Sequence, residues 1–228
     1  MKKIYALFNF CFFITVFAQA QFEKGQKAVG GNIGFAAAKS ENVYSSNYTS
    51  DYSNLSVSPS VGLFSRSNLL CGIGLLYVYN YQKNKNFMNT DDSKTWNHSI
   101  GIDLFSQRFF TLAQKFFFTI NTSGGLSYSF GKQISTTNNI KSEAKSSGYG
   151  IGVNLAPGLS YRLTPRFLFD AYLSNLINIS YSHNQTKGKN EAATDMKSSQ
   201  NSFNLSSSLS NTSLGNVGLG FRWLLRRK

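Results

Sequence analysis

The sequence predicts an all-β fold, an eight-stranded antiparallel transmembrane β-barrel, on three observations. Apolar and small polar side chains alternate with period two, short and long connections alternate along the chain, and rings gather at both ends of the apolar face. The clearest segment is 148–163, where Tyr149, Ile151, Val153, Leu155, Pro157, Leu159, Tyr161 and Leu163 alternate with Gly148, Gly150, Gly152, Asn154, Ala156, Gly158, Ser160 and Arg162. Successive side chains of an extended strand point to opposite faces. This segment therefore has one face in an apolar medium and the other against small or polar groups.

The other strands follow from the same pattern. Segments 27–38, 52–65, 69–81 and 95–107 are the first four. In 116–130 the even face carries Phe116, Phe118, Ile120, Leu126, Tyr128 and Phe130 against Phe117, Thr119, Asn121, Ser123, Ser127 and Ser129. In 167–181 the odd face holds Phe167, Phe169, Ala171, Leu173, Ile177, Ile179 and Tyr181, with Leu168, Tyr172 and Leu176 blurring the other side. The last strand spans 202–223 and is weak over 206–211. Pro59 and Pro157 each remove a ladder donor, so a bulge or local break is expected at both. About sixteen residues at roughly 3.3 Å, tilted about 40°, rise roughly 40 Å against an apolar band of about 25 Å, so the hairpins should project beyond it.

Connections 65–68, 106–114 and 164–166 are short. Those at 40–51, 82–94, 132–147 and 182–201 are long and rich in Asn, Ser, Thr and Lys. This asymmetry is that of short periplasmic turns and long extracellular loops. Tyr77, Tyr79, Trp96, Tyr128, Phe130, Tyr149 and Tyr181 lie toward the long loops, and Phe116, Phe118, Tyr161, Phe167, Phe169, Phe221 and Trp223 toward the short turns. Aliphatic residues fill the middle, as in a bilayer girdle with rings at the head-group layers.

Lys2 and Lys3 precede an apolar stretch over 4–17, and Ala18-Gln19-Ala20 has the small-x-small form of a signal-peptidase site. Residues 1–20 are thus expected to be a signal peptide, cleaved beyond Ala18 and Ala20, and 21–228 a single barrel domain. Cys71 is then the one cysteine left, which excludes an internal disulfide and a thiolate metal site. The formal charge of +13 includes Lys2 and Lys3, so +11 remains after their removal. Lys83, Lys85, Lys132, Lys141, Lys145, Lys187 and Lys189 stand in the long connections. Such dispersal in an exported chain speaks against nucleic acid; a polyanionic surface ligand, either lipid head groups or sugars, is one reading, and solvated loop charge that keeps the chain soluble during export is the other.

At the C-terminus, Asn216-Val217-Gly218-Leu219-Gly220-Phe221-Arg222-Trp223 resembles the assembly signal of bacterial outer-membrane barrels, carried by Asn216, Gly218, Phe221 and Trp223. Residues 224–228 follow where such chains usually stop. Together with the leader and the strand pattern, the chain resembles the small outer-membrane β-barrel family, often labelled porin-like, of Gram-negative bacteria. The resemblance implies an outer-membrane location, handling by the barrel-assembly machinery, and contact with outer-membrane lipid and lipopolysaccharide. It implies no particular activity, because this fold hosts many.

Chemistry is sparse. The inward parity carries four charges, Asp103, Arg162, Asp170 and Arg222, all toward the short-turn ends, and these are expected to pair and close the floor of the lumen. Eight strands enclose a space about wide enough for side chains to fill, so a wide diffusion pore is not expected; a small channel is the alternative reading. His98 and His183 have outward parity near the long loops, while Ser99 and Ser182 have the other. No catalytic residue, metal ligand or cofactor is assigned, and a lipid-facing hydrolase stands as the least favoured alternative. The expected function is that of a monomeric structural or surface-binding barrel acting through its loops.

Overall fold

The computed structural model describes residues 22–42, 48–86, 91–137, 140–173, 176–190, 195–207 and 217–225. Ten strands, β1 (Lys27–Asn42), β2 (Tyr48–Arg66), β3 (Leu69–Asn86), β4 (Asp91–Thr111), β5 (Phe116–Thr137), β6 (Ile140–Thr164), β7 (Phe167–Leu173), β8 (Ile177–Asn190), β9 (Asp195–Ser207) and β10 (Val217–Leu224), form one antiparallel sheet. β1 to β6 ladder in chain order. The C-terminal part of β6 pairs with β7, β7 with β10, and β10 with β1, so the sheet closes into a ring through eight strands. β8 and β9 extend it beside the N-terminal part of β6. Among the described residues β9 has one neighbour, β8, and β1 beyond Ile33 has one neighbour, β2. The ring is thus laddered all round at the short-turn end and not between β1 and β9 at the other.

The expected single strands 167–181 and 202–223 are each divided, and Pro157 supplies a reason for the first division. On one edge the β5 ladder runs unbroken through Ile120↔Pro157. On the other, where a proline has no N–H to donate, β6 changes partner between Leu155↔Ile177 and Gly158↔Tyr172 in a shifted register. Pro59 behaves alike, paired to Gly31 on the β1 side while the β3 ladder skips from Val57↔Tyr77 to Ser60↔Gly74. The bulges lie elsewhere, at Phe64/Arg66 and Arg162/Thr164 beside two short turns. The weak stretch 206–211 falls at the second division, with 208–211 outside the described residues.

The long connections are a second correction. Most of 82–94, 132–147 and 182–201 is strand, because β3 to β6, β8 and β9 continue their ladders far past the rings. Hydrogen bonding to a neighbour persists there, while both faces meet water and the period-two signal is lost. β5, at 22 residues, climbs roughly 55 Å at ~3.3 Å per residue and about 40° of tilt, twice an apolar band of about 25 Å.

The outward face keeps its apolar side chains exposed, whereas large buried residues gather inside the ring at the short-turn end: Phe22, Phe64, Leu70, Phe105, Phe109, Phe117, Leu168 and Leu224. Closure itself depends on Gly30, where a Cβ would overlap the Phe221 carbonyl oxygen and stand 2.8 Å from the Arg222 backbone. Gly30→Val is expected to cost at least the about 1–3 kcal/mol of core overpacking and to abolish the compact, SDS-resistant form seen on gels of unboiled protein. Gly188→Val, whose Cβ would meet nothing closer than 3.8 Å, should leave that form intact.

Candidate functional site

The interior divides into a filled floor and an open chamber. Phe22 is the centre of the floor. Its ring stacks on Phe64 (4.9 Å between centroids, 11° between planes) and packs against Phe109 at 4.8 Å and Phe117 at 5.0 Å. Main-chain bonds hold the segment in place: Gly25 N–H donates to the Phe64 carbonyl at 2.8 Å and Phe64 N–H to the Gln26 carbonyl at 2.9 Å. Asn68 clasps Phe22 on both sides, its Oδ1 accepting from the Phe22 N–H at 3.2 Å and its N–H donating to the Phe22 carbonyl at 3.3 Å. Asn68 occupies the left-handed region (φ 59°) in the turn after β2, which asparagine tolerates better than most residues. The Arg162 guanidinium lies 4.7 Å from the Phe22 centroid and 5.2 Å from that of Phe117, so a cation caps the rings.

Beside the rings, Arg222 Nη1 stands 2.9 Å from Asp170 Oδ2, and the Ser160 hydroxyl donates to Asp170 Oδ1, all three residues being buried. Of the four inward charges expected to meet at the floor, the structure brings Asp170 and Arg222 together and sets Arg162 on aromatic faces. Asp103 lies apart, on β4 between Gly74 and Gly125. It faces a chamber of about 510 Å³ lined also by Asn32, Ser58, Asn121, Asn154 and Asn178. The missing side chain of Gly74 leaves room for its carboxylate, 2.8 Å from where a Cβ would stand.

Sequence reasoning missed the ring cluster. Phe22 precedes every strand, Phe117 stands on the face read as polar, and Phe109 falls in the expected short connection 106–114, of which β4 in fact covers 106–111. The signal was present in the exceptions, since Phe117 and Leu168 broke the alternation and both are fully buried here.

Of the terminal motif, Gly218 faces inward, where a Cβ would overlap the Tyr172 ring. Phe221 and Trp223 face outward, with Phe221 opposite Phe169 and Trp223 edge-on to Phe167 at 6.0 Å. Asn216, Ala18 and Ala20 lie outside the described residues.

The histidines belong to the outward rings. His98 stacks on Phe130 at 5.2 Å and its Nδ1 is 3.0 Å from the Tyr77 hydroxyl. His183 stacks on Tyr149 at 5.2 Å with Nδ1 2.7 Å from Asn201 Oδ1. Phenol, amide and ring faces thus fix the orientation of both imidazoles. Among the described residues no group of three His, Cys, Asp or Glu side chains is placed to hold a metal ion. Above the rings, Lys132 Nζ stands 2.8 Å from Glu143 and Lys145 Nζ 3.8 Å from it. The Lys132 bond, with the Lys145 and Lys141 charges behind it, holds the Glu143 carboxyl below the usual carboxylate range.

No family model matches the chain, and no curated protein matches it. Among solved structures, the crystal structure of a major outer membrane protein from Thermus thermophilus is similar, with 10% identity and a TM-score of 0.43, covering 88% of this chain and 99% of that one.

The floor supplies its own test. Asp170→Leu leaves Arg222 buried without a counter-ion and is expected to destabilise by about 3–5 kcal/mol, most of it recovered when Arg222→Leu is added. Phe22→Ala should cost a similar ~3–5 kcal/mol by opening a cavity among the rings. Urea unfolding of the protein refolded into lipid vesicles measures all three.

Proposed function

We propose that this chain is an integral outer-membrane β-barrel of eight staves, exported on a signal peptide over 1–20, with a single barrel domain over 21–228. It is a monomer plugged at its periplasmic end, whose projecting hairpins bind a polyanionic surface ligand. It has no catalytic role in this reading.

The observation that carries this reading is the outward face. Ile100, Ile102, Leu104, Leu126, Ile151, Val153 and Leu159 are each at least half exposed, and together they form an apolar band. Above it run Tyr79, His98, Phe130, Tyr149 and His183 in ring contact (5.1–5.2 Å). Below it lie the pairs Phe110–Phe118 (6.0 Å), Phe116–Tyr161 (4.6 Å) and Phe167–Trp223 (6.0 Å). Water does not support an aliphatic surface of this extent, whereas a bilayer core bounded by head-group layers does.

The aromatic floor favours a plugged barrel over a porin. If the signal is cleaved after Ala20, Phe22 is the second residue of the mature chain, and the new N-terminus itself becomes the stopper. The mature chain is expected to fractionate with outer membranes and to show heat-modifiable gel mobility; a soluble periplasmic protein that runs identically boiled and unboiled would refute the placement. In planar bilayers the unmodified protein should conduct little, and Phe22→Ala combined with Arg162→Ser should raise conductance severalfold. Large steady conductance before any substitution would favour the channel instead.

A further inference from the structure

The strand register exposes a feature that the linear sequence hides. Lys132 on β5 pairs with Lys145 on β6, Lys145 with Lys187 on β8, and Lys187 with Lys197 on β9. Four lysines from four adjacent strands thus stand side by side in one row. Paired residues share a face, and the row continues through Trp96 and Tyr81, whose rings lie 5.8 Å apart on the outward side. All four ammonium groups therefore belong to the outer surface. With strands about 4.8 Å apart, the row extends roughly 14 Å.

Like charges directly opposite each other destabilise a sheet, so an unbroken run of four is a configuration that folding alone disfavours. The next row toward the hairpin tips, in contrast, mixes signs: Asp51, Lys83, Lys94, Ile134, Glu143 and Lys189. Glu143 bonds Lys132 at 2.8 Å and reaches Lys145 at 3.8 Å, and Asp195, paired with Lys189, ends this row on β9, so two acidic residues stand beside four cations. The excess points outward and needs an anion from outside the chain.

Height identifies the source of that anion. On β5 the topmost ring, Phe130, is two residues below Lys132; on β6 Tyr149 is four below Lys145; on β8 His183 is four below Lys187; and on β9 Phe203 is six below Lys197. At ~3.3 Å per residue and about 40° of tilt, the lysines stand roughly 5, 10, 10 and 15 Å above the ring belt. The row climbs through a head-group layer and out of it. A single plane of phospholipid phosphates would meet only its lower end, while a thick head group with anionic groups at several depths would meet all of it. Lysine stems also bend toward an interface, which widens the reach of each ammonium.

We infer that the outward row Lys132, Lys145, Lys187 and Lys197 is a docking site for the phosphorylated head group of an outer-leaflet glycolipid. This inference rests on the membrane placement and polyanion binding proposed above and assigns the ligand to the barrel wall, not to the hairpin tips.

The test uses the full mature chain in phosphatidylcholine nanodiscs, with labelled lipopolysaccharide as probe and three comparisons: dephosphorylated lipopolysaccharide, soluble inorganic polyphosphate, and high salt. Replacing all four row lysines by serine should weaken lipopolysaccharide binding by about tenfold or more, since each cation near the surface adds to the attraction. Lys83→Ser, Lys85→Ser, Lys141→Ser and Lys189→Ser together should change it by less than about threefold on the same scale. Unchanged heat-modifiable mobility verifies that both variants fold. Equal losses in the two sets would replace the row by diffuse charge, and no loss in the row variant would overturn it outright. Equally tight binding of the dephosphorylated lipid would remove phosphate from the proposal. A row-dependent affinity for polyphosphate matching that for the lipid would make the ligand a free polyanion. If the unmodified protein binds neither probe, the polyanion reading of the whole protein fails along with the row.

Discussion

An edge strand leaves a row of backbone N–H and C=O groups without partners, and so the closing ladder between β1 and β10 is the constraint on which the rest depends. Closure runs through six paired positions, Ala28↔Leu224 to Ile33↔Leu219. It needs Gly30 where β10 crosses closely, and it delivers the neighbouring Arg222 to the interior. An arginine there requires a counter-ion, which β7 supplies as Asp170, and Asp170 is in turn oriented by Ser160 of β6. The ion pair is therefore a consequence of how the ring shuts, and it ties the last strand to the two beside it. This also explains why Arg222 sits buried amid a motif whose aromatic members, Phe221 and Trp223, face outward.

A ring of eight strands leaves an interior about one layer of side chains across, so the identity of the inward residues decides whether it is filled. At the short-turn end they are phenylalanine and leucine, and Phe22 enters from outside the ring to complete the packing. Farther up, Gly74, Gly125, Gly150 and Gly152 replace bulk with space. The chamber that results is bordered by amides, hydroxyls and the Asp103 carboxylate together with Leu76, Ala156 and Tyr172. One wall thus carries two regimes, a filled plug and an open chamber, set by the size of alternate side chains.

The parts legible in the sequence were those where one face met an apolar medium. Segment 148–163 shows its parity because its outward residues are apolar without exception, and the four inward charges follow from parity alone. Register was not legible. It depends on bulges such as that between Arg162 and Thr164 and on the change of partner beside Pro157, and register is what joins Arg222 to Asp170. The projecting halves of β3 to β6 read as loops because two wet faces leave no alternation to see. The plug was hidden for the opposite reason: Phe117 and Leu168 looked like noise on a polar face, and Phe22 stands ahead of the first strand, where no alternation marks it. The lysines were each visible, yet only pairing across β5, β6, β8 and β9 shows them adjacent.

Ring closure and the outward lysine row are placed at opposite ends of the one sheet. Ring closure, the ion pair and the aromatic plug all lie at the short-turn end, where β7 and β10 contribute seven and eight residues and little else. The projecting ladders carry the unfavourable charge, with many residues of wall between the two. Energetic effects at sites so far apart add with little coupling, so the rim can hold a repulsive lysine row without weakening the closure below it. The same separation leaves the rim free to change. A new charge pattern above the rings leaves the ladder beneath as it is, whichever pattern the rim carries.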